Sequence, residues 1–165
     1  LVSAFDPSIL VYGPFLDPNI IKEAGARPVE LDELMKKSDI ITLHSSTTPE
    51  AMGLISAKRI ALMKPTAYLI NAANAFVIDN EAIIQALKEK RIAGAAFDVF
   101  ETWPVRSDSP LLKMDNVVLT PHIGGATAET VVRYSGMMVD DIERFLRGER
   151  PKNLLNPQVW GKSAR

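Results

Sequence analysis

Short apolar runs alternate with helix-patterned segments along this chain, and that alternation constrains the fold more than any other feature. Residues 9–12 (ILVY), 27–30, 39–43 (DIITL), 67–70, 94–97 (GAAF) and 117–119 read as strands. Between them, 19–24 reads as a helix stopped by Gly25. Residues 31–37 (LDELMKK) carry Leu31, Leu34 and Met35 at helical spacing. A short helix over 57–63 ends at Lys64-Pro65, a well-patterned one covers 80–89, and a long one over 126–146 is closed by Gly148. Strands alternating with helices predict a parallel sheet with helices on both faces, the doubly wound, Rossmann-like α/β class. At 165 residues the chain can bury one sizeable core. No repeat interrupts it. The tail after Gly148 is polar and Pro-rich, and Asn156-Pro157 marks a turn in it.

The bulk properties remove several function classes. A net charge of -1 gives no electrostatic basis for nucleic acid or anionic membrane as partners. With no cysteine there are no disulfides and no thiolate metal sites. The two histidines, His44 and His122, share no short metal-ligand spacing, so no metal site is expected. No apolar run approaches the roughly 20 residues of a membrane span, and LVSAFDPSIL lacks the basic region of a signal peptide. A soluble, cytoplasmic protein is the default expectation.

One loop stands out. In INAANAFVID, residues 70–79, a strand end runs into a segment with no charged side chain from Asn71 to Ile78. In open α/β sheets ligands lie against such strand ends.

Four phrases occur in order: LHSSTTPEAMGLI from Leu43, ALMKPTAYLIN from Ala61, IAGAAFDVFE from Ile92 and SPLLKMDNVVLTPHIGGAT from Ser109. Together they resemble the nucleotide-binding domain of the D-isomer-specific 2-hydroxyacid dehydrogenases, over about residues 1–157. The resemblance implies an NAD(P)-linked oxidoreductase that interconverts 2-hydroxy and 2-oxo acids, with NAD or NADP as cofactor and a small 2-hydroxy or 2-oxo acid as substrate. A homodimer paired through the nucleotide domain is implied too. Residues 1–152 would be the dinucleotide-binding domain, and 153–165 a tail returning toward a substrate domain not contained in this chain.

The family's G-x-G-x-x-G fingerprint has no counterpart here, and by the resemblance it belongs just before Leu1. In strand order 3-2-1-4-5-6 the first strand is central. Segments 9–12 and 27–30 would then lie on one side of it and the other four strands on the opposite side. Without it two half-sheets face an unpaired gap, whose open backbone groups cost free energy. The expectation is a fragment that associates with a missing N-terminal part of the same protein.

The resemblance also assigns the site. His122 in TPHIGG matches the histidine that exchanges the hydroxyl proton. The arginine that binds the substrate carboxylate falls at Asn74, which offers a neutral amide but no charged fork. Charge-assisted hydrogen bonds are worth about 1.5–3 kcal/mol each, so carboxylate recognition is expected to weaken. The glutamate that supports the histidine falls at Trp103, whose indole is a donor only; Glu101 lies two residues away. Gly13 replaces an aspartate that would hold the adenosine ribose, and Arg27 or Asp17 could act nearby. His44, Ser45, Ser46 and Thr48 fall along the cofactor's path, as do Ala72 and Ala73. Asp98 would face the nicotinamide amide, and Gly124 and Gly125 would allow close backbone approach beside His122. Each has a plainer reading: loop polar groups, a helix cap at Thr48, a simple turn at the glycines. The Met137-Met138 pair reads as packing.

Three readings remain open on the sequence: a dehydrogenase fragment with altered catalytic positions, a catalytically inactive relative acting as a nucleotide-binding or assembly module, and a truncated product without function. Hydride transfer is not expected of this chain alone.

Overall fold

A computed structural model describes residues 2–161; the last four residues of the expected 153–165 tail, and Leu1, lie outside the described residues. The chain forms two compact units, 1–121 and 122–165.

The first unit holds six strands: β1 (Leu10–Val11), β2 (Arg27–Pro28), β3 (Ile40–Leu43), β4 (Tyr68–Asn71), β5 (Gly94–Phe97) and β6 (Val117–Leu119). All pairings are parallel, and they form two sheets, β1-β2 and β3-β4-β5-β6. This is the expected α/β class, and the strands divide between two sheets as expected, segments 9–12 and 27–30 in one and the other four in the second. Four helices intervene: α1 (Pro18–Glu23), α2 (Leu31–Lys37), α3 (Ala57–Ile60) and α4 (Asn80–Lys88). β5, β6 and α2 match the expected bounds to the residue, and the other strands and helices differ from theirs by one to three residues. The largest such trim is α3, which stops at Ile60 where the chain tightens into turns before Pro65. A 3-10 turn at Val2–Phe5 precedes β1.

The α4 segment shows why these sequences fold locally as they do. The Asp79 carboxylate accepts from the Ala82 amide at 3.0 Å, satisfying a donor that an uncapped helix would leave open. Ile83, Ala86 and Leu87 then fall on one face and are buried. Their partners are Leu69 of β4, Ile41 of β3, Met35 of α2, Ile60 of α3 and Ile55, all 2% exposed or less. Tyr12, just after β1, and Leu31 of α2 join the same cluster, so both sheets lean on one core.

That core covers only one face of the four-stranded sheet. Leu69 is fully buried, but its neighbours Tyr68 and Ile70 are 52% and 37% exposed, and Ile40 and Val118 are each 64% exposed. Ile40 pairs with Tyr68, and Thr42, Ile70, Ala96 and Val118 form one lateral row, so the open apolar face is continuous across the strands. Parallel sheets are ordinarily covered on both faces.

The second unit is built on α5 (Ala128–Leu146), capped by Thr127 Oγ1 accepting from the Thr130 amide at 3.1 Å. Asp141 accepts from the amides of Lys152 and Asn153, at 2.6 and 3.1 Å, and so ties the start of the tail to the helix. Trp160 meets Phe145 edge-on at 6.3 Å. No residue of α5 is buried. Met137 and Met138, expected to pack, are 41% and 60% exposed. They belong to an apolar stripe that also includes Val131, Tyr134, Ile142 and Phe145, each 41% exposed or more.

Candidate functional site

The carboxyl ends of β3, β4, β5 and β6 lie side by side because all four strands run parallel and in register. Four loops therefore start from one edge of the sheet, the place where such sheets bind ligands.

The loop after β4 is organised by its first residue. Asn71 is 1% exposed. Its Nδ2 donates to the Asn74 carbonyl at 2.8 Å, and its Oδ1 accepts from the amides of Ala73 and Asn74 at 3.1 and 3.3 Å. Ala72 and Ala73 are thus held in a turn of fixed shape. Asn74 sits beyond it as the cap of a 3-10 turn, Ala75–Val77. Its Oδ1 accepts from the Phe76 amide at 3.0 Å, and its Nδ2 donates to Thr47 Oγ1 at 2.9 Å. The amide is committed on both sides and ties the β4 loop to the β3 loop.

In the β3 loop, His44 Nε2 and Thr42 Oγ1 hydrogen-bond at 3.1 Å, so the imidazole lies back along its own strand. Ser45 Oγ is buried and has no hydrogen-bond partner among the described residues. A buried hydroxyl left without a partner costs free energy, and at a strand end it marks a place for a ligand's polar atom. Ser46 closes a turn by accepting the Thr48 amide at 3.0 Å. Thr48 stands at the cap position of the 3-10 turn Pro49–Ala51, but its hydroxyl makes no capping bond.

After β5, Asp98 is 7% exposed and accepts from Thr120 Oγ1, which follows β6. Glu101, the acid nearest to the expected glutamate position, accepts from Asn80 Nδ2 at 2.7 Å. Asn80 also donates to the carbonyls of Ala75 and Ile78, at 3.3 and 3.4 Å. Glu101 is thereby turned toward the start of α4. Trp103 is half exposed, and its ring meets Phe100 edge-on at 5.4 Å. Each of the first unit's arginines is ion-paired with an acid: Arg27 with Glu33, Arg59 with Asp32, Arg91 with Glu89 and Arg106 with Asp108.

A second opening lies at the carboxyl ends of β1 and β2. It is a cleft of about 530 Å³, walled by Tyr12, Gly13, Pro28 and Val29 among others. Gly13, Ser45, Ala72, Ala73, Asn74, Asp98 and Trp103 thus all fall within the first unit. His122 opens the second unit, exposed and at φ 55°. A turn from Ile123 to Ala126 follows it, and a Cβ added at Gly125 would meet open space, so no close approach within the chain explains that glycine.

These features fit a nucleotide: a cleft at the ends of two parallel strands, an orphaned serine hydroxyl and a buried aspartate at the ends of the others. The family profile described as D-isomer specific 2-hydroxyacid dehydrogenase, NAD binding domain, matches residues 1–124. The chain belongs to this family.

Similar relatives include a glyoxylate reductase of Korarchaeum cryptofilum, 41% identical over 155 residues, 94% of this chain and 47% of the relative. A D-3-phosphoglycerate dehydrogenase of Methanocaldococcus jannaschii is 40% identical over 93% of this chain and 29% of its own length. Among solved structures, the NAD-complexed D-isomer specific 2-hydroxyacid dehydrogenase of Lactobacillus delbrueckii ssp. bulgaricus superposes with a TM-score of 0.81. It is 29% identical, over 93% of this chain and 50% of that one. An acyclic imino acid reductase in complex with NADPH and D-Arg gives the same TM-score at 31% identity, over 93% of this chain and 47% of that one. The chain therefore spans between about a third and a half of the length of such relatives. As an NAD-binding domain of the 2-hydroxyacid dehydrogenase family, it takes a nicotinamide dinucleotide as its cofactor class. Among the described residues no cluster of potential metal ligands occurs, and no helix is long and apolar enough to cross a membrane.

Sequence reasoning did not single out Asn71, Thr47, Asn80 or Thr120 as site-forming residues. Asn71 alone left a local signal, an Asn at a strand end followed by small residues, which favours a side-chain-to-backbone turn.

Proposed function

We propose that this chain is the nucleotide-binding part of an NAD(P)-linked oxidoreductase acting on 2-hydroxy and 2-oxo acids, with its carboxylate-binding and histidine-supporting positions altered. The observation that carries this reading is the convergence of Ser45, the Asn71–Asn74 turn and Asp98 on one edge of a parallel sheet. Bound nicotinamide would supply or receive the hydride. Ser45 and the Ala72–Ala73 backbone would hold it in place, and Asp98, which accepts from the Thr120 hydroxyl, would accept from its amide. His122 would exchange the proton of the substrate hydroxyl. Asn74 would offer a substrate carboxylate a neutral donor only, and Trp103 would offer His122 no acceptor.

A second reading, an inactive relative that binds nucleotide, is favoured by one observation: the Asn74 amide is already engaged at both ends. Residues 1–152 make up the dinucleotide-binding part in either case, with 153–165 leading toward a further domain. The two short sheets and the open apolar sheet face support association with polypeptide equivalent to the half of the relatives that this chain does not span, and pairing of two such proteins belongs to the same reading.

The test is the double substitution Asn74→Arg and Trp103→Glu in the full-length protein, followed by NADH oxidation with a 2-oxo acid such as glyoxylate. A gain of tenfold or more in kcat/KM, about 1.4 kcal/mol of transition-state binding, is the expected result. No gain, with cofactor still bound, would favour the inactive relative.

A further inference from the structure

We propose that the site at the ends of β3, β4 and β5 takes the uncharged amide of a 2-oxo acid in preference to the acid itself, with the Asn74 carboxamide reading the substrate's amide group. The inference rests on the oxidoreductase reading above and names the form of substrate that the site accepts.

The loops that leave these strand ends carry acids and almost no base. Residues 44–56 and 72–79 contain no lysine or arginine. Residues 98–109 contain one, Arg106, whose Nε and Nη2 donate to the two carboxylate oxygens of Asp108 at 2.9 and 2.7 Å. The imidazole of His44 lies back on Thr42 Oγ1 at 3.1 Å. The same three segments hold Glu50, Asp79, Asp98 and Glu101 besides Asp108. A substrate carboxylate placed at this edge is offered like charge and a guanidinium already paired. An uncharged carboxamide of the same shape escapes that repulsion.

Asn74 supplies the matching group. The Phe76 amide can only donate, so the atom it meets at 3.0 Å is the carboxamide oxygen, and Nδ2 is the atom that donates to Thr47 Oγ1 at 2.9 Å. An Asn side chain has two N–H donors and two acceptor lone pairs. Each end therefore spends one bond inside the chain and keeps one for a ligand, in an orientation that the two internal bonds fix. A primary amide presents the complement: its N–H to Oδ1 and its carbonyl oxygen to Nδ2. A carboxylate can use the Nδ2 donor alone, and it leaves its second oxygen facing Oδ1, acceptor against acceptor. Sites that hydrogen-bond a substrate N–H discriminate strongly against the analogue that lacks it. In the reaction the 2-oxo amide gains a hydride at C2 from the reduced nicotinamide and a proton at the carbonyl oxygen from His122. The products are a 2-hydroxy amide and the oxidised nicotinamide, and the amide C–N bond is untouched.

The experiment compares matched pairs, pyruvamide against pyruvate and benzoylformamide against benzoylformate, as substrates of the full-length protein with NADH and with NADPH. A ratio of two substrates on one enzyme is not moved by a uniform loss of folded protein. Wild type is expected to favour the amide by about tenfold or more in kcat/KM. Asn74→Arg should move the ratio toward the acid by at least about tenfold. Asn74→Asp keeps the acceptor for Phe76 and loses the Nδ2 donor, so it should lower kcat/KM for the amide by about tenfold. A wild-type preference for the acid overturns the inference and leaves the 2-oxo acid reading standing. A ratio that neither substitution at position 74 moves also overturns it. Reduction of neither member of either pair, with cofactor bound, overturns this inference and favours the inactive relative.

Discussion

Replacing Asn71 by alanine isolates the residue on which the β4 loop depends. The side chain is 1% exposed and makes three hydrogen bonds, at 2.8, 3.1 and 3.3 Å, all to the backbone of Ala73 and Asn74. An intramolecular hydrogen bond contributes about 0.5–1.5 kcal/mol net, and a buried group left unpaired costs about 1–3 kcal/mol. The 3.3 Å bond is weak, and water can reach part of the loop, so the sum should fall near 2–4 kcal/mol. For a chain of this size each kcal/mol moves the melting temperature by about 2–4 °C, which gives a drop of about 5–15 °C. Urea unfolding followed by far-UV circular dichroism measures the free energy, and amide exchange at Ala73 and Asn74 reports the loop itself. Asn71→Asp should be intermediate in hydrogen bonding, because it keeps the acceptor for both amides and loses the donor to the Asn74 carbonyl. A loss below about 1 kcal/mol for the alanine variant, with exchange unchanged, would refute the reasoning. The shape of the loop would then rest on the Gly53–Phe76 and Ile55–Val77 backbone bonds instead.

Asn74→Ala removes the bond to Thr47 and the cap on Phe76; thermal melts should show a loss of about 1–2 kcal/mol, milder than at Asn71. Gly94→Ala places a methyl 2.6 Å from the Asn116 carbonyl oxygen, and the resulting shift of β5 against β6 should cost about 1–3 kcal/mol in urea unfolding. Asp32, Glu33 and Asp108 are held below the ordinary carboxylate range by hydrogen bonds from Arg59, from Lys37 and Arg27, and from Arg106 respectively. Lowered folded-state values mean that their contribution is complete above about pH 5 and is lost as pH falls through the folded values. The urea midpoint should therefore decline below about pH 5, and less steeply in Asp108→Asn.

Much of the scaffold was legible in the sequence because its signals are local. The strands 94–97 and 117–119 and the helix 31–37 were readable to the residue, since apolar spacing, Gly and Pro positions and end caps act within one or two turns of chain. The resemblance also gave an expected address for the site at the strand ends, with Asn74, Trp103 and Gly13 at altered positions. The state of those residues was not legible. Asn74 meets Thr47 across 27 residues, Thr120 meets Asp98 across 22, and Asn80 meets Glu101 across 21. Glu101, near enough in sequence to stand in for a missing glutamate, is turned toward α4 by such a partner.

By itself, then, the sequence determined which segments become strands and helices and that the strands run parallel. The tertiary structure alone decided that Asn74 is engaged, that Ser45 is buried without a partner, that Leu16 covers Gly13, and that Arg27 is held by Glu33. Periodicity and capping act through neighbours along the chain, whereas hydrogen-bond partners and burial depend on segments that meet only when the sheet assembles.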